Sequence, residues 1–206
     1  MIRSTDVLLV IDVQNDFVPG GALAVPQGDE IVPLINGIAR RFANVILTQD
    51  WHPRGHVSFA SSHTNTKPFN RIKLRYGEQI LWPDHCVQGT AGAAFHPALA
   101  IPHAQLVLRK GYHGHTDSYS AFLEADRKTK TGLDGFLGSR GFKRVFCAGL
   151  ATDFCVAWSA IDARKFGHSA VIIEDACRAI DANGSLDDAW RKLRTARVPR
   201  IHSMDL

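Results

Sequence analysis

Five side chains that could take part in chemistry each follow a short apolar run of the 206-residue chain: Asp12, Asp50, His52, Lys110 and Cys155. A cysteine needs its thiolate form to act as a nucleophile, and a neighbouring ammonium and carboxylate are the groups that can activate it. An aspartate and a histidine two residues apart point the same way in an extended chain and suit a metal ion. The residue types therefore indicate a thiol nucleophile and a metal site.

Cys155 is the candidate nucleophile, with Lys110 and Asp12 as its partners. It lies in the first turn of a helix predicted over residues 152–166, where backbone N–H groups and the Lys110 ammonium are expected to lower the pKa of its thiol. Asp12 can take the thiol proton and return it to a leaving amine. Backbone N–H groups of residues 149–155 can hold a developing oxyanion. The alternative for Cys155 is a buried apolar role.

The candidate metal ligands are Asp50, His52 and His85, with His56 as a further candidate. One carboxylate and two imidazoles bind zinc or ferrous iron and leave coordination positions open for water or substrate. The alternative is that an Asp-x-His pair in a loop is simply solvated. These residues and the cysteine set together indicate a thiol hydrolase with a metal site.

Alternating strand and helix patterns predict how these residues are positioned. Strands are predicted at residues 7–11, 45–47, 106–108, 145–148, 170–173 and 198–201, and helices at 29–42, 133–139, 152–166 and 185–195. This alternation favours a three-layer, doubly wound (Rossmann-like) α/β fold with a mostly parallel sheet, as a single domain over residues 1–206. The carboxyl ends of parallel strands share one edge, where ligands bind. Residues 51–104 carry no convincing regular element, and so long a segment is usually functional.

The composition is that of a globular protein, with 45% hydrophobic and 21% charged residues and a formal net charge of +4. The basic stretch at residues 191–200 lacks accompanying aromatic residues, so no nucleic-acid partner is expected. No apolar run suits a signal peptide or a membrane span, and four unpaired cysteines fit a cytoplasmic location. A dinucleotide-binding module is disfavoured because no G-x-G-x-x-G follows the first strand. Oligomeric state is left open, with a homo-oligomer as one alternative.

Seven blocks, in order along most of the chain, resemble the nicotinamidase/pyrazinamidase family of isochorismatase-like cysteine hydrolases. They are residues 12–17 (DVQNDF), 50–53 (DWHP), 82–90 (WPDHCVQGT), 110–111 (KG), 117–122 (DSYSAF), 149–155 (GLATDFC) and 174–178 (EDACR). The resemblance implies a six-stranded sheet and hydrolysis of nicotinamide to nicotinate and ammonia through a cysteine thioester, in NAD salvage. Pyrazinamide is implied as a second substrate.

The resemblance also implies the roles of single residues. The catalytic triad would be Asp12, Lys110 and Cys155, and the ligands of one divalent metal ion (zinc, with iron or manganese as alternatives) would be Asp50, His52 and His85. Phe17, Trp82 and Tyr119 would pack around the substrate ring. Ala151 would follow a non-proline cis peptide and supply an N–H group to the oxyanion. The alternative function is a related cysteine amidohydrolase acting on another small amide or carbamoyl compound, since such relatives share the triad but lack the metal ligands.

Overall fold

The computed structural model describes all residues, 1–206, and contains eight strands. Six of them form one sheet in the order β5-β2-β1-β6-β7-β8, and every neighbouring pair in it is parallel. The remaining two form an antiparallel hairpin outside this sheet. The strands are β1 (Asp6–Ile11), β2 (Val45–Asp50), β3 (Arg71–Leu74), β4 (Gly77–Ile80), β5 (Leu106–Lys110), β6 (Arg144–Leu150), β7 (Ser169–Arg178) and β8 (Arg200–Ile201).

Both faces of the sheet are covered, which explains why the central strands contain continuous apolar runs. Successive residues of a strand point to opposite faces. Accordingly, Leu8 and Val10 of β1 belong to one apolar core, whereas Val7, Leu9 and Ile11 belong to the other. All six residues of β1 are buried. The two cores confirm the predicted three-layer arrangement.

Four α-helices form the outer layers: α1 (Ile31–Ala39), α2 (Leu133–Ser139), α3 (Ala157–Lys165) and α4 (Ser185–Thr195). The apolar side of α1 packs on one face of the sheet, and the apolar sides of the other three helices pack on the opposite face. Helix α3 turns small residues inward at three-residue spacing, namely Ala157, Ala160 and Ala163. None of the helices is both long and apolar enough to cross a membrane.

The strand order reverses between β1 and β6, and this junction brings distant parts of the chain together. Ile11 at the end of β1 lies opposite Gly149 near the end of β6. Gly149 has φ +123°, and a Cβ there would overlap the backbone carbonyl of Ile11, so only glycine allows this approach. The register between β6 and β7 also shifts here, between Cys147 and Gly149. Asp12 and the segment that carries Cys155 therefore leave the sheet side by side.

Several predicted bounds differ from the observed ones: α1 and β8 are shorter than predicted, and β2 and β5 extend to Asp50 and Lys110. Three further departures concern the kind or extent of an element. Residues 51–104 contain the β3–β4 hairpin, which we did not predict. The helix predicted from residue 152 begins instead as a turn of π-helix over Thr152–Val156, and α3 follows it. Strand β7 extends to Arg178, beyond its predicted end at residue 173, because it continues past the bulge to pair Cys177 with Gly149.

Candidate active site

Lys110 is the centre of the cluster of charged side chains at the carboxyl edge of the sheet. It is 1% exposed, and its Nζ lies 2.8 Å from Asp12 Oδ2, 2.9 Å from Asp50 Oδ1 and 3.3 Å from Cys155 Sγ. Nζ also donates to the Ser118 carbonyl at 3.1 Å. The parallel register places Asp50 directly opposite Lys110 on neighbouring strands. The predicted triad of Asp12, Lys110 and Cys155 thus comes together in space.

Asp12 has one oxygen that is fixed and one that is available. Its Oδ1 accepts the Thr48 hydroxyl at 2.6 Å, and its own backbone N–H donates to the same hydroxyl oxygen at 3.2 Å. Its Oδ2 is buried and forms an ion pair with the Lys110 ammonium at 2.8 Å. A carboxylate oxygen has two lone pairs, so Oδ2 can accept a proton beside this ion pair. Asp12 can therefore receive a proton on Oδ2 while Thr48 holds the carboxylate in place.

Burial changes the charge states expected of the triad. It raises the pKa of the Cys155 thiol well above its ordinary value, and Asp12 and Asp50 add to this rise while Lys110 opposes it. Lys110 thus acts in the expected direction, but the expectation of a lowered pKa for Cys155 was wrong because burial outweighs the ammonium. Burial also raises the pKa of Asp12, against the attraction of Lys110. Burial disfavours the Lys110 ammonium, but the two carboxylates raise its pKa well above the ordinary value. Cys155 is thus a protonated thiol that needs a base.

A second cluster shares Asp50 with the first. Asp50 Oδ2 faces His52 Nε2 at 3.2 Å and His85 Nε2 at 3.5 Å, and all three residues are buried. The Nδ1 of His52 lies 2.8 Å from the Gly111 carbonyl, and the Nδ1 of His85 lies 2.8 Å from the Pro83 carbonyl. Each Nδ1 therefore carries a hydrogen, so in the neutral form of either ring the Nε2 lone pair is turned towards Asp50 and can bind a cation. One carboxylate and two imidazoles with fixed tautomers suit a divalent metal ion.

His56 lies beside this cluster but faces away from Asp50. Its Nδ1 lies 2.7 Å from the Ser58 hydroxyl, and its Nε2 lies 3.1 Å from the His113 carbonyl and 3.3 Å from the Thr116 carbonyl. Its ring packs on the His52 ring with 4.2 Å between the centroids. Burial and the His52 charge lower the pKa of His56 to about 4. These contacts indicate that His56 is a neutral imidazole that supports the His52 ring, rather than a ligand in the Asp50 cluster.

Gln14 and Gly111 support the cluster, and sequence reasoning did not single out either of them. The Gln14 carboxamide accepts the Asp50 N–H at 2.7 Å and donates to the Asp50 carbonyl at 2.8 Å, so it holds the ligand from both sides of its backbone. Gly111 has φ +69°, and a Cβ there would meet the His52 imidazole. The only signal in the sequence was that Gln14 and Gly111 fall inside the matched blocks.

Aromatic rings form a wall next to the triad. The Trp82 ring centroid lies 6.3 Å from that of Tyr119 and 4.9 Å from that of Phe154, with the rings nearly perpendicular. Trp82 Nε1 donates to Tyr119 Oη at 3.0 Å. Phe17 lies on the side of the metal cluster, with its centroid 5.4 Å from that of His85. Trp82, Tyr119 and Phe154 thus pack against one another, and Phe17 packs beside the predicted ligand His85.

The peptide between Leu150 and Ala151 is cis, as the resemblance implied. The carbonyl of Ala151 accepts the N–H groups of Phe154 and Val156, both at 3.1 Å, which starts the π-helical turn that carries Cys155. The N–H of Ala151 makes no hydrogen bond within the chain. This donor, at the carboxyl edge of the sheet, is free to bind an oxyanion.

Comparison with known proteins places the chain among small-amide hydrolases. Nicotinamidase from Acinetobacter baylyi is 56% identical over 199 residues, which cover 97% of this chain and 93% of the relative. A solved nicotinamidase and pyrazinamidase from Acinetobacter baumanii is also 56% identical, with a TM-score of 0.98 over 100% of this chain and 99% of that chain.

Two further solved structures contain bound groups. A protein from L. infantum in complex with nicotinate is 39% identical, with a TM-score of 0.86 over 99% of this chain and 96% of that one. A pyrazinamidase from Pyrococcus horikoshii in complex with zinc is 32% identical, with a TM-score of 0.78 over 96% and 99%. A family model described as the isochorismatase domain matches residues 6–203. With that match over nearly its whole length, the chain belongs to the isochorismatase domain family.

Proposed function

We propose that the chain is a metal-dependent nicotinamidase that converts nicotinamide to nicotinate and ammonia and also accepts pyrazinamide. The observation that carries the proposal is the position of Asp50, which contacts the Lys110 ammonium with one oxygen and faces two histidines with the other. A cysteine hydrolase of another small amide or carbamoyl compound needs the triad but has no use for a carboxylate that faces two histidines. The relatives named nicotinamidase, and the one bound to nicotinate, support the same substrate.

The residues of the chain perform two chemical half-reactions. Asp12 Oδ2 takes the proton from Cys155 Sγ as the sulfur attacks the carboxamide carbon, and the Ala151 N–H receives the developing oxyanion. Asp12 then gives that proton to the leaving nitrogen, the C–N bond breaks and ammonia departs, leaving a thioester. Water, deprotonated by Asp12, attacks the thioester carbon; the C–S bond breaks and Asp12 returns that proton to sulfur. The carboxylic acid gives its remaining proton to solvent and leaves as nicotinate. Lys110 stays charged throughout and keeps Asp12 and Cys155 in contact.

The ring is held by the other half of the site. Phe17, Trp82 and Tyr119 offer flat apolar surfaces for a small heteroaromatic ring, and such packing contributes about 0.5–1.5 kcal/mol beyond area burial. Asp50, His52 and His85 would hold a divalent metal ion, which we propose is zinc, and the ion would supply Lewis acidity towards a ring nitrogen. Fixing the ring places the carboxamide carbon near Sγ, and this positional restraint is itself a large contribution to the rate.

An ammonia-release assay on nicotinamide tests the proposal with metal-loaded and chelated protein. We expect turnover by the loaded protein, loss of turnover on chelation, and much slower turnover of benzamide, which lacks the ring nitrogen. Cys155→Ala should reduce kcat at least about 1,000-fold while metal content stays at that of the wild type, because the nucleophile lies outside the ligand set. Equal turnover by the wild type and Cys155→Ala, or turnover indifferent to chelation, would contradict the proposal.

A further inference from the structure

Gln79 is a buried polar residue that the chemistry above does not use. It belongs to strand β4 of the hairpin and is 2% exposed, although the hairpin lies outside the main sheet and its other residues are largely exposed or half-buried. Burying a carboxamide is unfavourable unless its donors and acceptor find partners. The partners of Gln79 therefore indicate what the hairpin holds in place.

The Gln79 amide nitrogen faces three acceptors. It lies 2.8 Å from Asp117 Oδ2, 3.1 Å from Tyr119 Oη and 2.6 Å from the Ile80 carbonyl. The carboxylate and the carbonyl can only accept, so the orientation of the amide is fixed. Its Oε1 in turn accepts the Tyr76 hydroxyl at 2.9 Å. Gln79 thus bridges the hairpin to both ends of residues 117–119.

Residues 117–119 connect the triad to the aromatic wall. Asp117 Oδ1 accepts the Ser118 N–H at 2.8 Å, and the Ser118 carbonyl accepts the Lys110 ammonium at 3.1 Å. Tyr119 Oη accepts hydrogen bonds from Gln79 and from Trp82 and donates to no group in the chain. Two N–H donors on one phenolic oxygen leave its own hydrogen available to a ligand in the pocket.

We propose that Gln79 is a positioning residue for the hydrolysis. Its carboxamide holds residues 117–119 so that the Tyr119 hydroxyl faces the ring pocket and the Ser118 carbonyl meets Lys110. The hairpin is therefore part of the machinery that sets substrate affinity. This inference rests on the proposed nicotinamidase function and assigns that function a residue outside the triad, the metal ligands and the ring-packing side chains.

The experiment is a double-mutant cycle between Gln79 and Tyr119, measured as steady-state ammonia release on metal-loaded protein. Gln79→Met keeps the length of the side chain and removes its hydrogen bonds. We expect KM for nicotinamide to rise about tenfold, the size of effect usual for loss of a buried hydrogen bond. In the Tyr119→Phe background the same change should leave KM unaltered, because the hydroxyl it acts through is gone. We also expect Gln79→Met to lower kcat, and by the same factor in both backgrounds. This effect acts through the Ser118 carbonyl and Lys110, not through the Tyr119 hydroxyl.

The controls separate positioning from folding and from the proposed function. Glu78→Gln, at an exposed neighbour on the same strand, should leave both constants at wild-type values. If Gln79→Met does not fold, Tyr76→Phe serves as a second variant, because it removes the hydroxyl that donates to the Gln79 carboxamide. It should raise KM about two- to threefold in the wild-type background and leave KM unchanged in the Tyr119→Phe background. Equal KM effects in both backgrounds, or none in either, overturn the inference. A wild type that releases no ammonia from nicotinamide instead overturns the proposed function.

Discussion

Asp12 determines how activity should depend on pH, because it must be ionised to take the thiol proton. Burial raises its pKa above the ordinary value of 3.8. Activity therefore requires a pH above this raised pKa and is lost as the pH falls through it. The Cys155 thiol, whose pKa is raised well above 9.0, stays protonated across the neutral range. We expect kcat/KM to show an acid limb above the usual carboxyl range and no alkaline limb from the thiol below pH 9.0.

Initial rates of ammonia release across the pH range, at substrate well below KM, measure this profile. Circular dichroism at each pH shows that the protein remains folded. An acid limb at or below the ordinary carboxyl value, in folded and metal-loaded protein, would mean that Asp12 is not the base.

Gly111 offers a test of the metal cluster that leaves the ligands themselves unchanged. Gly111→Ala introduces a Cβ against the His52 ring at a backbone φ of +69°. We expect zinc affinity to fall about 10- to 100-fold, the usual effect of disturbing a partner of a metal ligand. Competition with a chromophoric chelator measures it. Gly114→Ala is the matched control, because its Cβ makes only an ordinary 3.5 Å contact with Pro53. Equal zinc affinities for the two variants would remove Gly111 from this role.

At the scale of elements, the pairing of β1 with β6 sets the distance between Asp12 and Cys155. Asp6 and Arg144 lie opposite each other at the start of these strands and form a charged pair, with Arg144 Nε 3.1 Å from Asp6 Oδ1. Burial alone would raise the pKa of Asp6, but hydrogen bonds from Arg144 and from the Arg3 backbone lower it. Because the pKa of Asp6 is lower in the folded than in the unfolded chain, its charged form stabilises the fold at pH values above the pKa of the unfolded chain. This stabilisation is lost as the pH falls through the pKa of Asp6 in the folded chain.

Arg144→Met should therefore reduce the free energy of unfolding at pH 7 by about 1.5–3 kcal/mol, since it leaves Asp6 buried without its partner. The difference from the wild type should shrink as the pH falls below 3.8 and through the lowered pKa of Asp6, where the folded carboxylate becomes protonated. Urea unfolding at several pH values measures both effects. Arg140→Met, at an exposed position, should cost about 0.5 kcal/mol or less. A difference that stayed constant with pH would show that lost packing, not the charged pair, is responsible.

The elements of the main sheet could be predicted from the sequence, whereas the hairpin could not. Strand β1 is apolar from Val7 to Ile11 because both its faces are covered, and this leaves a direct signal. Strands β3 and β4 have no such signal: their most buried residue is Gln79, which is held by hydrogen bonds to Asp117 and Tyr119, far along the chain. Buried polar residues depend on partners that only the tertiary structure reveals.

The same limit applies to single residues of the site. Asp12, Lys110 and Cys155 were predictable because each lies at or shortly beyond the carboxyl end of a strand, at one edge of the sheet. The direction in which the pKa of Cys155 shifts could not be predicted, because it depends on how completely the neighbouring elements exclude water from the sulfur. Gln14 was missed for a related reason, since its function is visible only from its two hydrogen bonds to the Asp50 backbone.

At the scale of the whole molecule, we propose that residues 1–206 form one domain, as the sequence predicted. Two apolar cores share a single sheet, so neither can unfold without exposing the other. We expect one transition in calorimetry, with equal calorimetric and van't Hoff enthalpies. Zinc at about 100 times its dissociation constant should raise the midpoint by about 5–10 °C, because it binds the folded state. Two separate transitions, or a midpoint that zinc leaves unchanged, would contradict this.

Asp50 has a consequence for how the enzyme can vary. One of its oxygens contacts the ammonium of Lys110, and the other faces His52 and His85. Binding of a metal ion and protonation of the groups around Lys110 are therefore thermodynamically linked. The linkage is reciprocal: the free energy by which metal binding changes protonation equals the free energy by which protonation changes metal binding. A substitution that changes which metal ion binds will therefore also change the reactivity of the triad, and the reverse holds too, because the Asp50 carboxylate belongs to both clusters.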